Sequence, residues 1–177
     1  MGNSYLPGRG LSGELDMERG ANQSELGALF NTEPYLSPHS DIVALMVLEH
    51  QARAQNLIFR CHQGPSAADT LADYLMFAGE AALTAPVEGV SGFAAEFVAR
   101  GPFDGQHRSL RDFDLKTRMF RYGLSYMIDS ESFDSIPVET RTRIYRRIFS
   151  ALEGKPALEI LRSTKKDFEF NSFKSPR

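Results

Sequence analysis

Apolar positions recur at helical spacing along most of this chain and nowhere alternate, strand-like, for more than a few residues. The strongest run lies between Pro38 and His62. At about 100° per residue, Val43, Met46, Val47, His50, Ala54, Leu57 and Cys61 share one side of a helix. Glu49, Arg53, Asn56 and Arg60 form its only polar stripe. Ser37 suits the N-cap, Pro38 the first helical position and Asp41 the positive end of the helix dipole. Gly64-Pro65 ends the run. The pattern predicts a central helix with most of its circumference against protein.

Further helices are predicted over 66–83, with Ser66 and Asp69 at capping-box spacing, and over 92–100, 114–128, 137–153 and 156–164. Only Arg118, Arg121 and Ser125 give the 114–128 segment a polar face, with Asp114 as its cap. The 137–153 segment is amphipathic: Val138, Ile144, Tyr145, Ile148, Phe149 and Leu152 lie opposite Arg143, Arg146 and Arg147. No internal repeat is present. The expected fold is all-α, a single-domain bundle of about five or six helices, divided into an extended N-terminal arm (1–36), a helical domain (37–166) and a charged tail (167–177). The arm is rich in Gly, Pro and polar residues, with a short helical hint at 24–30. It can order only by burying Tyr5, Leu6, Leu29, Phe30 and Tyr35.

Composition narrows the classes. The 177 residues fit one domain, and 42% hydrophobic content suffices for a core. A net charge of −3 and an isoelectric point near 5.8 argue against a protein that coats nucleic acid. The single cysteine, Cys61, excludes an internal disulfide and a multi-cysteine zinc site. No run approaches the ~18 apolar residues of a membrane span, and the first residues lack the layout of a secretory signal. As written, the expected address is cytosolic, or the chain is a fragment whose signal lies upstream.

Candidate chemistry is sparse. Gly8-Arg9-Gly10-Leu11-Ser12-Gly13 spells GxGxxG, but no strand precedes it, so it reads as a turn rather than a dinucleotide site. Ile58 stands where the first cysteine of a CxxCH haem motif would be, before Cys61-His62. Cys61, facing inward, reads as an inert buried thiol. His50 lies on the apolar side, one turn after Met46, a geometry that can present either side chain to haem iron. The plain alternative is a neutral, hydrogen-bonded core histidine. His39, ~16 Å away by helical rise, reads as a surface or capping group.

Asp104, His107, Asp112 and Asp114 crowd one loop at a spacing that matches no calcium loop, so they read as caps and partners of Arg108 and Arg111. Asp129, Glu131 and Asp134 read the same way. No metal site and no catalytic residue is assigned. Arg143, Arg146 and Arg147, with Lys155, form a basic face able to meet phosphates or a partner, or simply a solvated helix face.

Three segments carry a resemblance: Gly20-Ala21-Asn22, Pro38 to Gln51, and Ser109-Leu110-Arg111-Asp112-Phe113-Asp114-Leu115. It continues through Met119-Phe120-Arg121-Tyr122 and Ser125-Tyr126-Met127-Ile128 to Phe133-Asp134. Together they resemble the C-terminal part of a bacterial group of exported cytochrome-c-like proteins whose CxxCH haem motif lies upstream and is absent here. The resemblance implies a periplasmic setting and a non-catalytic helical domain that supports a haem portion in electron transfer. Haem c would belong to the longer parent, with His50 and Met46 as the cofactor contacts. The competing expectations are a cofactor-free interaction module using Arg143, Arg146 and Arg147, and a metal-dependent enzyme built on the Asp104–Asp114 loop.

Overall fold

The computed structural model describes residues 26–35 and 38–165. Ser37, most of the expected arm and the 167–177 tail lie outside the described residues, as does the Gly8–Gly13 motif. The fold is all-α. Helix α1 spans Ile42–His62, α2 Ala68–Leu75, α3 Phe93–Ala99, α4 Glu131–Asp134, α5 Val138–Leu152 and α6 Pro156–Thr164. Short 3-10 turns cover Pro65–Ala67 and Tyr126–Asp129. No described helix is long and apolar enough to cross a membrane.

Helix α1 packs against α2, α3 and α4, α2 packs against α5, and α5 packs against α6. Val47, Ala54, Leu57, Ile58 and Cys61 of α1 meet Leu71 and Leu75 of α2 in one continuous core, completed by Ile144, Tyr145 and Ile148 of α5. Burying a Leu or Ile side chain of this kind stabilises by about 1.5–3 kcal/mol. The inward stripe of α1 matches the periodicity of its sequence, but its outer face is broader than the four polar residues suggest. Leu48 and Phe59 are exposed on it.

Helix α1 begins at Ile42, not Pro38, because Asp41 is its cap. Asp41 Oδ1 accepts the Val43 and Ala44 amides at 2.8 and 3.0 Å, and Oδ2 accepts the Ser91 amide and hydroxyl at 2.9 and 2.6 Å. These bonds hold the Asp41 carboxyl below the usual range against the opposing effect of burial. Gly89 lies so close that a Cβ there would come 2.8 Å from Oδ2. One carboxylate thus starts the central helix and fastens the long 78–92 connection to it. His39 precedes the helix, on the surface.

Helix α2 stops at Leu75 instead of continuing to Leu83. The Ser66–Asp69 capping box does not form, and Phe77 and Gly79 take positive φ values of 56° and 75° that turn the chain away. The 24–30 hint is a turn at Leu26–Phe30, and Phe30 and Tyr35 meet edge to face at 5.9 Å instead of burying.

The largest departure is 114–128, where the expected helix is absent apart from the final 3-10 turn. Asp114 Oδ1 accepts the Lys116 and Thr117 amides and closes a turn, Leu115 has φ 56°, and Phe113 bridges Phe120. The segment is apolar because it is buried, not because it is helical: Met119, Phe120, Leu124, Met127 and Ile128 all enter the core. Its backbone finds partners elsewhere, as buried peptide groups must. Leu83 N–H donates to Thr117 O, Val87 N–H to Leu115 O, and Ser125 N–H to Leu75 O. Arg111 pins the same region, its Nε donating to Gly101 O at 2.7 Å and its guanidinium lying 4.7 and 4.4 Å from the ring centres of Phe97 and Tyr126.

Replacing Asp41 with Ala removes four hydrogen bonds at the start of α1. The expected cost is about 1–2 kcal/mol, read as a lower urea midpoint, with Asp41→Asn losing less.

Candidate functional site

Residues Ile42, Leu45, Met46, Glu49, His50 and Arg53 recur every three or four positions and form one stripe of α1. The chain leaving α2 turns at Phe77 and runs back beside this stripe through Val87, and the space between them is a groove of about 650 Å³ with Met119 at its base. That size suits a small organic ligand. His50 and Met46 therefore lie on one surface, the His50 ring at the floor and only 5% exposed.

The His50 ring is packed by aromatic groups from three separate parts of the chain. Tyr74 stacks on it at 5.1 Å between ring centres and Phe77 lies at 5.2 Å. Phe120 and Tyr126 approach at 5.9 and 6.1 Å. The Tyr74 hydroxyl donates to the His50 carbonyl at 3.2 Å, and the Arg53 guanidinium lies over the Tyr74 ring at 5.3 Å. Burial among these rings removes water from the imidazole and pushes its pKa down to about 4, so it is neutral at pH 7.

Its tautomer follows from its partner. His50 Nε2 lies 2.6 Å from Ser125 Oγ. That oxygen already accepts the Met127 amide at 3.1 Å, and Nε2 is the acceptor within reach of its hydroxyl hydrogen. Donation of the Ser125 hydroxyl to Nε2 satisfies both groups, and with that direction the imidazole proton is on Nδ1. Nδ1 has no hydrogen-bond partner among the described residues and is not sealed from solvent. The groove is lined largely by apolar side chains, with His50, Glu49, Arg53 and Glu80 among its polar ones.

The other sequence candidates are not brought together here. Arg143 and Arg147 each fork onto an acid of α2. Arg143 Nε donates to Asp69 at 2.9 Å with a second bond from Nη2, and Arg147 donates to Asp73 at 2.7 and 2.8 Å. Two of the three arginines expected to meet a partner are therefore engaged in tying α5 to α2, and Arg146 stands exposed beside them. Asp104 accepts the Gln106 and Arg108 amides and the Arg108 side chain, and Asp112 accepts the Ser109 amide. His107 stacks on Phe103 at 4.3 Å. Among the described residues, no three His, Cys, Asp or Glu side chains converge as metal ligands. Cys61 is buried, and burial raises its thiol pKa. In the second acidic cluster, burial pushes the Asp129 carboxyl up to about 6, with Lys165 opposing the shift and Asp134 adding to it.

Sequence reasoning placed His50 and Met46 in this region but missed Tyr74, Phe77 and Ser125. Tyr74 and Phe77 fall inside the expected 66–83 helix, and Ser125 was on the polar face of a helix that does not form. Nothing local in the sequence marks Ser125 as the partner of a residue 75 positions earlier.

Two outcomes test this geometry. An unfolded histidine protonates near 6.5, whereas folded His50 stays neutral to about 4, so the unfolded state takes up the proton first. Stability is then full above pH 7, falls as the pH drops from 6.5 towards 4, and loses at most about 3 kcal/mol. Denaturation midpoints of the parent and His50→Gln, compared across that window, should converge as the pH falls. Ser125→Ala strands Nε2 in a buried site and should cost about 1–3 kcal/mol at pH 7, measured the same way. No family model, curated protein or solved structure matches this chain, so its functional reading rests on the chemistry of the groove.

Proposed function

We propose that this chain is a non-catalytic binding domain whose α1 groove receives an apolar, planar group. The resemblance to cytochrome-c-like proteins makes the haem portion of a longer parent the leading candidate for that group. The observation that carries the reading is the neutral, ring-packed His50 at the floor of an open groove. A buried polar ring at the base of a hollow costs stability unless it is satisfied. Here one nitrogen is satisfied within the fold and the other has no partner.

The residues fit the face or edge of a macrocycle better than they fit its iron. Leu45, Met46, Phe77 and Met119 supply apolar surface, and Met46 is half-buried in the wall. The His50 nitrogen that would ordinarily ligate is bonded to Ser125, and Nδ1 carries the proton, so ligation would require breaking a buried hydrogen bond or removing that proton. In this reading His50 donates a hydrogen bond from Nδ1 to an acceptor on the bound group. The groove walls keep water from the rest of it.

Metal-free protoporphyrin IX separates the reading from its rivals. Its fluorescence should change saturably on titration, and Ala82→Trp, which places an indole in the groove from an exposed wall position, should weaken binding by about tenfold or more. Iron protoporphyrin should bind alike, with a Soret band that His50→Ala leaves in place. Absence of binding, or binding indifferent to Ala82→Trp, overturns the groove as the site. A Soret shift lost in His50→Ala overturns the non-ligating role.

A further inference from the structure

A second hollow, of about 420 Å³, lies on the other side of the turn that follows α2. Three cations line it: Arg118 and Arg121 from the non-helical segment, and Lys155 from the start of α6. No carboxylate lines it. Its apolar surface comes from Met76, Tyr122 and Pro156, among others.

The protein carries a net charge of −3, and three of its other arginines are held by acids. Arg108 pairs with Asp104 and Glu159, Arg143 with Asp69, and Arg147 with Asp73. Among the described residues, none of Arg118, Arg121 and Lys155 has a carboxylate within 4 Å. The acid that acts electrostatically on Arg118 is Glu80, which lines the α1 groove instead. Three like charges around one hollow repel one another, and an anion between them relieves that repulsion. Lys155 is also the N-cap residue of α6, where no side chain caps the helix, so the positive end of its dipole adds to the same field.

We infer that this hollow is an anion-binding site for a phosphate monoester carrying a small apolar group. Three cations suit a dianion better than the single charge of a carboxylate. Two guanidinium forks can each offer paired N–H donors to phosphate oxygens. Met76 and Tyr122 give the ester's apolar body a surface to rest on, which free phosphate would not use. The site is independent of the α1 groove, since no residue lines both hollows.

Calorimetric titration with phenyl phosphate, at fixed ionic strength in chloride buffer, tests the assignment. One-site saturable binding is expected, with inorganic phosphate several-fold weaker and benzoate weaker by about tenfold or more. The Arg118→Gln/Arg121→Gln double variant should weaken phenyl phosphate by about tenfold or more. Lys155→Gln should weaken it by about threefold. Lys155 is exposed and makes no side-chain hydrogen bond or ion pair among the described residues, so that variant decides the matter if the double variant melts early. Lack of saturable heat into the millimolar range overturns the site, as does undiminished affinity in Lys155→Gln. Benzoate binding as tightly as phenyl phosphate overturns the phosphate class.

Discussion

The hydrogen bond between His50 and Ser125 is the constraint around which this molecule is arranged. A polar ring on the inner face of the central helix is affordable only if something satisfies it. The partner comes from 75 residues further along the chain, in a segment with little regular structure. For the Ser125 hydroxyl to reach Nε2, its own amide is held by Leu75 at the end of α2, and its oxygen caps the 3-10 turn that follows. The bond therefore fixes the position of α2 relative to α1. It also draws Phe120 and Tyr126 against the imidazole.

That arrangement explains how far the sequence could be read. Helices α3, α5 and α6 were legible because each has a single apolar face and recognisable ends: Pro137 before α5, Gly154 after it, and Pro156 at the start of α6. The inner face of α1 was legible for the same reason. Residues 114–128 were not. Helical spacing of apolar residues reports burial on one side, and a buried loop whose backbone is bonded elsewhere leaves much the same trace. The one local sign was Asp114 followed by Lys116 and Thr117, which reads equally as a helix cap or as a turn that closes on itself. The end of α2 was hidden likewise, because Phe77, which is not glycine, takes the left-handed conformation.

The candidate site was half visible. His50 stood out chemically against its aliphatic neighbours, and Met46 one turn earlier shares its face. The groove itself depends on the path of residues 78–87 beside α1, which Asp41 secures through Ser91 and its close approach to Gly89. No periodicity encodes a contact of that range. The arginines of α5 were visible, but their acid partners were not, because a helix face read in isolation does not show Asp69 and Asp73 on α2.

The two hollows are separated by a thin wall. Met76 and Arg118 line the basic one, while their neighbours Phe77 and Met119 line the α1 groove. The positive φ of Phe77 turns its ring towards His50, and the Arg118 guanidinium sits 5.9 Å from the centre of that same ring. Phe77 is one of the rings packed on the imidazole, so a single side chain touches both His50 and a cation of the basic hollow.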